Sequence, residues 1–382
     1  MSVTLHIDAL FAGAAHAVGF TSNDPADNWQ HAALAAGLPE AKRAVVVLID
    51  GMGFAQLEHY RGHIPFLRRY LHTTALTTFP STTACAITSF ATGYPPGKTG
   101  MAGFTLKDPH RGHRLQLLSF LAGDSMRPNA HGRVQTTPAD PRCWQPHPPI
   151  AARCEHQGRI CSVGPAKFAG TGLTLAAWRG IRQVFAGDLS ERVECALQQL
   201  RTDATLVYLY WEALDHAGHK FGWNSPQWVA EVENVDRQLA RLASRLPAET
   251  LLVITADHGM VDITNRIDLA DFPGAAQWES AGEERALHVY FPADIDHDEA
   301  AADLAAWVGE RGQVIGRDEM DRLMGGIDPA IAARFGDVMI AAHDQWGISD
   351  RRWMSAAQRS LIGAHGSISA AERTIPVMVL AN

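Results

Sequence analysis

Residues 44–50 read AVVVLID, an unbroken run of small, β-branched and aliphatic side chains that ends on Asp50 and stops at Gly51-Met52-Gly53. A strand with one wet face alternates polar and apolar residues. A run without polar members fits a strand covered on both faces, as in a parallel sheet flanked by helices. Residues 205–211 (TLVYLYW) and 250–256 (TLLVITA) have the same character and also end at polar clusters. Between them Trp228, Val232, Val235, Leu239, Leu242 and Leu246 recur at alternating spacings of four and three, the period of an amphipathic helix. Ser225 is placed to cap that helix and Pro226 to take its first position. Strand, helix and strand in this order form a βαβ unit whose strands run parallel. The expected fold class is α/β, with helices on both faces of a mostly parallel sheet.

Outward from this unit, residues 158–164 (GRICSVG) read as one more strand and 375–380 as a late apolar run. Residues 107–149 are rich in Pro, His, Arg and Gly with little periodicity, and are expected as long connecting loops. Residues 267–352 mix a strand-like piece at 286–291 with a helical piece at 299–310. That mixture predicts a smaller α+β lobe inserted into a single domain spanning 1–382.

The 382 residues are 46% hydrophobic and 19% charged, ample material for a large core. A formal net charge of -8 lacks the basic face that a nucleic-acid backbone selects and gives no membrane-surface signal. It leaves room for an anionic small molecule held through metal ions, which bring positive charge of their own. The expected partner is therefore a small molecule, not a nucleic-acid duplex or a membrane; oligomeric state has no signature here. Cys85, Cys143, Cys154, Cys161 and Cys195 are odd in number and form no CxxC pair, so no disulfide framework is expected. The N-terminal residues lack a basic start followed by an apolar stretch, and a cytoplasmic location is expected.

In an open parallel sheet, ligands gather beyond the carboxyl ends of the strands, so the polar residues that end each apolar run are the first candidates. Asp50 ends the first run, and Asp257 and His258 follow the third in Ala256-Asp257-His258-Gly259. The second leads into Asp215-His216-Ala217-Gly218-His219, where Asp215 and His219 lie four apart and share one face of a helical turn. His365 sits in Gly363-Ala364-His365-Gly366, just before the late apolar run. Singly, each has an ordinary structural reading: a turn former, a solvated helix face, a hydrogen-bonded histidine. Together they fall on one edge of the sheet. Carboxylate and imidazole without thiolate form a donor set for zinc, manganese or iron, and two ions fit better than one.

The order Asp50, a Thr-rich helix start, DxxxH, ADHG and a late GxHG resembles the alkaline phosphatase superfamily. Within it, the chain is most similar to the nucleotide pyrophosphatase and phosphodiesterase branch and its bacterial relatives. The resemblance implies an alkaline phosphatase-like three-layer α/β/α sandwich with a smaller inserted lobe. It implies a metal-dependent phosphoester hydrolase with two divalent metal ions, commonly zinc. One ion would be held by Asp50, Asp257, His258 and the nucleophile, the other by Asp215, His219 and His365. In the superfamily the nucleophile opens a helix and precedes, by ten residues, the glycine of a Thr-Gly pair. Counting back from Gly93 of Ala91-Thr92-Gly93 gives Thr83, with Thr82 the next candidate and Ser81 a candidate cap. A helix N-terminus offers free N–H groups and a positive dipole end to a phosphoryl group, and a threonine hydroxyl needs a neighbouring cation to act as an alkoxide. The implied route is in-line attack by Thr83, a phosphothreonine intermediate and its hydrolysis by water. The implied substrate is a small-molecule phosphate ester, nucleotides among the candidates; no substrate-binding residue is identified.

The motifs cover residues 44–104, 205–262 and 284 to the end. In one respect the chain departs from the branch, which places an Asn shortly after the Thr-Gly turn to hold a phosphate oxygen. Gapless counting puts Phe104 there, and the loop Gly93-Tyr94-Pro95-Pro96-Gly97-Lys98 lacks the usual His. Lys98 and Arg285 are candidates to take over phosphate binding, although ordinary surface roles are the stronger expectation for both. Phosphomonoesterase or cofactor-independent phosphomutase chemistry on the same metal core stays open. A sulfatase does not fit, because Cys85-Ala86-Ile87 lacks the C/S-x-P-x-R setting. A scaffold that has lost turnover is disfavoured by the filled ligand positions.

Overall fold

The computed structural model describes residues 4–71, 73–121, 139–154 and 157–381. Its centre is a seven-stranded sheet in the order Thr73–Leu76, Thr374–Ala381, Thr250–Thr255, Arg43–Ile49, Leu206–Trp211, Ile160–Gly164, Arg182–Phe185. Arg43–Ile49 pairs in parallel with both Leu206–Trp211 and Thr250–Thr255, so the three apolar runs lie side by side and end on one edge. Thr374–Ala381 runs against the others, antiparallel to Thr250–Thr255 and to Thr73–Leu76.

Successive side chains of a strand point to opposite faces, so the two faces of Leu206–Trp211 have different neighbours. Tyr208 meets Phe11 of helix Ile7–Ala17 and Phe90 of helix Thr83–Thr92, and stacks on Trp178 with ring centres 4.3 Å apart. Trp211 lies under Arg192 of helix Leu189–Leu200 and donates its indole N–H to Glu231 of helix Pro226–Ala243. Helices thus cover both faces, giving the three-layer α/β/α sandwich. Pro226–Ala243 is the helix read from the spacing pattern. Ser225 Oγ accepts the N–H of Trp228, and Trp228, Val232, Val235, Leu239 and Leu242 are buried. Each such side chain contributes about 1.5–3 kcal/mol by leaving water.

Residues 107–149 contain more than the expected loops. Thr105–Asp108 and His113–Gln116 form a hairpin and Pro141–Trp144 a short helix, while residues 122–138 lie outside the described residues. Strands of four residues are too short to show a period. They are held by packing: Leu106 and Leu115 join a second core with Met320, Phe335 and Met339. The last two of those belong to, or adjoin, a four-stranded antiparallel sheet ordered Glu279–Glu283, Ala286–Tyr290, Val338–Ala342, Gly312–Ile315. Helix His297–Val308 packs on it through Ala300, Leu304 and Val308.

Arg285 is not at the surface. It is fully buried, with Nε and Nη2 reaching Glu372 at 3.0 and 2.8 Å and Nη1 donating to the carbonyls of His343 and Trp346. Glu372 in turn accepts the N–H of Ser367 at 3.0 Å, so the pair joins the antiparallel sheet to the segment that follows His365. No helix among the described residues is long and apolar enough to cross a membrane.

His288 is buried on Ala286–Tyr290, with Nε2 2.8 Å from the Ala102 carbonyl and Nδ1 accepting the Gly336 N–H at 3.2 Å. Burial pushes its pKa down from the ordinary 6.5 to about 4. The unfolded chain therefore takes up a proton below pH 6.5 that the folded state refuses, and stability falls as pH drops through that window. The loss approaches about 3 kcal/mol at about 1.36 kcal/mol per unit. Denaturant titrations of wild type and His288→Gln, near neutral pH and near the lower limit of that window, measure it. An equal pH dependence in both proteins removes His288 as the cause.

Candidate active site

The strand ends deliver their polar residues to one place. Asp50 follows Ile49, with its N–H bonded to the Trp211 carbonyl at 2.9 Å. The chain then turns at Gly51 with φ 72°, where an added Cβ would stand 3.0 Å from Asp215 Cα. Both the left-handed backbone and that contact demand glycine. The Gly51 N–H donates to Asp257 Oδ1 at 3.1 Å, tying the first strand end to the third. Asp215 and His219 lie one turn apart on helix Ala213–Phe221. Thr83 opens helix Thr83–Thr92, which stops at Gly93 in the left-handed region. Thr82, not Ser81, holds the N-cap position. Ser81 instead donates its hydroxyl to the Ser367 carbonyl at 2.8 Å and accepts the Gly366 N–H at 3.1 Å, fastening the His365 loop to the helix start.

All the residues singled out at the strand ends meet here. Thr83 Oγ1 lies 3.1 Å from His258 Nε2, which is 3.3 Å from Asp50 Oδ1 and 3.5 Å from Asp257 Oδ2. His219 Nε2 is 3.3 Å from Asp215 Oδ2 and 3.2 Å from His365 Nε2. The rings of His258 and His365 stack with centres 3.5 Å apart. Asp215, His219 and His365 form one group with ligand atoms within 4.8 Å of one another, and Asp50, Asp215 and His258 a second. Asp215 therefore reaches both.

The donor set fits cations. Each histidine directs Nδ1 to a backbone carbonyl: His219 to Gly363 at 2.7 Å, His258 to Gly259 at 3.1 Å and His365 to Ser81 at 2.9 Å. An Nδ1–H donor leaves Nε2 as a bare acceptor, the arrangement that orients a metal-binding imidazole. The Nε2 atoms of His219 and His365 then face each other lone pair to lone pair. Asp50 Oδ1, Asp215 Oδ1 and Asp257 Oδ2 are buried without a hydrogen-bond partner. Burial, then the charges of Asp257 and Asp215, pushes Asp50 well above the usual carboxylate range, and burial raises Asp257 as well. Burial, then His258 and His219, pushes His365 well below the usual imidazole range. Acceptors buried without donors cost free energy that a cation between them would offset.

Two features escaped sequence reasoning. Tyr210 donates its hydroxyl to Asp50 Oδ2, leaving Oδ1 turned to the cluster. Its signal was the two-residue spacing of Tyr208 and Tyr210, which puts both on one strand face. The other is a cavity of about 470 Å³ that opens onto Asp50, Thr83 and His365. Phe104 lies on its wall, while its N–H donates to Glu283 Oε2. Neither Lys98 nor Arg285 lines it.

The family model for type I phosphodiesterase / nucleotide pyrophosphatase matches residues 44–368. Ectonucleotide pyrophosphatase/phosphodiesterase family member 7 of Mus musculus is 29% identical over 118 residues, 28% of this chain and 27% of that protein. The catalytic subunit of GPI ethanolamine phosphate transferase 3 of Homo sapiens is 34% identical over 82 residues, 22% of this chain and 7% of that protein. The chain thus matches about a quarter or less of the length of these curated relatives. Among solved structures, murine ectonucleotide pyrophosphatase/phosphodiesterase 5 superposes with a TM-score of 0.69 at 18% identity, covering 89% of this chain and 88% of that one. An inactive form of it is in complex with AMP, with a TM-score of 0.67 at 18% identity and coverage of 89% and 88%. Phosphonoacetate hydrolase from Sinorhizobium meliloti 1021, in complex with phosphonoformate, gives 0.66 at 21% identity, covering 88% and 89%.

The orphaned carboxylate oxygens predict that divalent cations stabilise the fold, by about 2.7 kcal/mol at about a hundredfold excess over Kd. Thermal melts of chelator-treated protein with and without added zinc measure this, and Asp50→Asn should shrink the rise. A midpoint that ignores the cation would contradict the cluster as a cation site.

Proposed function

The chain belongs to the type I phosphodiesterase/nucleotide pyrophosphatase family, and on that premise we propose that it is a metal-dependent phosphoester hydrolase using Thr83 as nucleophile. The observation that carries this reading is the convergence of three bare imidazole nitrogens and three orphaned carboxylate oxygens beside the Thr83 hydroxyl.

In this proposal Asp50, Asp257, His258 and Thr83 hold one divalent cation and Asp215, His219 and His365 a second, with Asp215 within reach of both. Zinc suits a carboxylate and imidazole set, with manganese and iron as other candidates. Such cations, when bound, supply positive charge to phosphoryl oxygens and lower the pKa of hydroxyl and water. Thr83 presents its hydroxyl at the start of a ten-residue helix, where free N–H groups and the dipole favour a phosphoryl anion. Its Oγ1 forms the new bond to phosphorus while the bond to the departing alcohol oxygen breaks, the Thr83 proton ending on the released alcohol and phosphothreonine remaining. Water then attacks the same phosphorus and returns the Thr83 hydroxyl. Tyr210 keeps Asp50 oriented throughout.

The substrate class is a small phosphate ester, and AMP in the related structure makes nucleotides one candidate. A phosphomonoesterase is the second reading, favoured by the Phe104 ring on the cavity wall at the position expected for an Asn. Rates on a nitrophenyl monoester and a nitrophenyl diester decide between the two. We also place the protein in the cytoplasm, supported by Cys85, Cys154 and Cys161 being buried free thiols; recovery in a secreted fraction would count against it.

Thr83→Ala should lower turnover of a nitrophenyl phosphoester by roughly a thousandfold or more with the circular dichroism spectrum unchanged. Loss of turnover in Thr82→Ala, with Thr83→Ala active, would move the nucleophile by one residue. Chelation should abolish hydrolysis and zinc restore it. Full activity in chelator would refute the metal assignment.

A further inference from the structure

Resting on that hydrolase reading, we propose that Glu283 is a positioning residue for the reaction: its carboxyl, carried in by the antiparallel sheet, seats the Thr83 helix start and the His365 loop against each other. Glu283 ends strand Glu279–Glu283. Thr105 fixes that strand end, its Oγ1 accepting the Gly282 N–H at 2.8 Å and donating to the Gly282 carbonyl at 3.1 Å. From there the carboxyl meets two segments of the site. Oε2 accepts the N–H of Phe104, a residue of the cavity wall. Oε1 comes so near Gly366 that a Cβ added there would stand 2.8 Å from it. Gly366 in turn exchanges hydrogen bonds with Ser81, whose N–H donates to the Gly366 carbonyl at 3.0 Å and whose Oγ accepts the Gly366 N–H at 3.1 Å. His365 Nδ1 reaches the Ser81 carbonyl at 2.9 Å. One carboxyl thus abuts the junction at which His365 and Thr83, two residues past Ser81, are set relative to each other.

The surroundings suit an uncharged acid there and not an anion. Oε1 is shut from water and has no hydrogen-bond partner. Among the described titratable neighbours, Arg285 spends its guanidinium on Glu372 and on the carbonyls of His343 and Trp346. The charge of Glu372 opposes a second carboxylate. Cys85, on the Thr83 helix, is a thiol pushed well above the usual range by burial and then by Glu283, so it stays neutral. Burial, opposed by the Phe104 N–H and aided by Glu372, raises the Glu283 carboxyl from the ordinary 4.5 to about 8. Near neutral pH the protonated carboxyl lies against Gly366 and Phe104 without water between them. An ionised one, with a single donor and no free cation, demands solvent and parts the two segments.

Rates of the metal-loaded wild type, Glu283→Gln and Glu283→Ala on a nitrophenyl phosphoester test this. Since a misplacement of about 1 Å can cost on the order of a hundredfold, Glu283→Ala should lower kcat roughly tenfold to a hundredfold near neutral pH, with KM little changed. Glu283→Gln, which keeps the shape and the acceptor for Phe104 without a charge, should retain the wild-type kcat. Its kcat relative to wild type should then rise as pH climbs through about 8, because the glutamate alone ionises in that window. An unchanged kcat in Glu283→Ala, a Gln variant as slow as the Ala variant, or a ratio flat with pH overturns the positioning role and leaves the hydrolase reading intact. If Glu283→Ala does not fold, the Gln ratio decides. A wild type that hydrolyses no nitrophenyl phosphoester sinks the two together.

Discussion

Bare lone pairs facing one another in a buried space are the constraint on which the site depends. Among the described residues, three carboxylate oxygens have no donor, the Nε2 atoms of His219 and His365 face each other, and the Thr83 hydroxyl is the one group that can donate to His258 Nε2. The scaffold holds them by strong means. Parallel pairing of Arg43–Ile49 with both neighbours fixes where Asp50, Asp257 and helix Ala213–Phe221 emerge. The glycine after Asp50 lets Asp215 approach, and three backbone carbonyls aim the imidazoles. Ser81 then sets the register between the Thr83 helix and the late loop, two segments far apart in sequence.

Much of this was legible in the chain because it follows from local chemistry. The apolar runs fit strands buried on both faces, which puts the polar residue ending each run at the sheet edge. The helix over Trp228 to Leu242 declared itself by period and cap. What stayed hidden depends on contacts distant in sequence. The hairpin around Leu106 and Leu115 is too short to have a period, and its reason for existing is the packing of Met320, Phe335 and Met339 against it. Ser81 reads as a helix cap until the Gly366 N–H arrives from the other end of the chain.

The substrate side of the site was the least legible part. Tyr208, Trp178 and Leu173 are ordinary core residues by composition, and nothing in their spacing says that they border the cavity beside Thr83. Phe104 was visible as a departure, but its meaning rests on which side of Thr83 its ring stands. Metal ligands are few and chemically distinctive; a cavity wall is made from the same side chains as a core, and only the packing separates them.

Arg285 and Glu372 are a charge pair shut away from water, one on the antiparallel sheet and the other just past the His365 loop. Removing one member of such a pair strands the other, at a cost of about 3–5 kcal/mol. The residues from 279 to 342 are therefore not a cassette. A chimaera that exchanges them for another insert, or a shortened chain that omits them, must supply a guanidinium at the same spot or recode Glu372 before the swap can be judged.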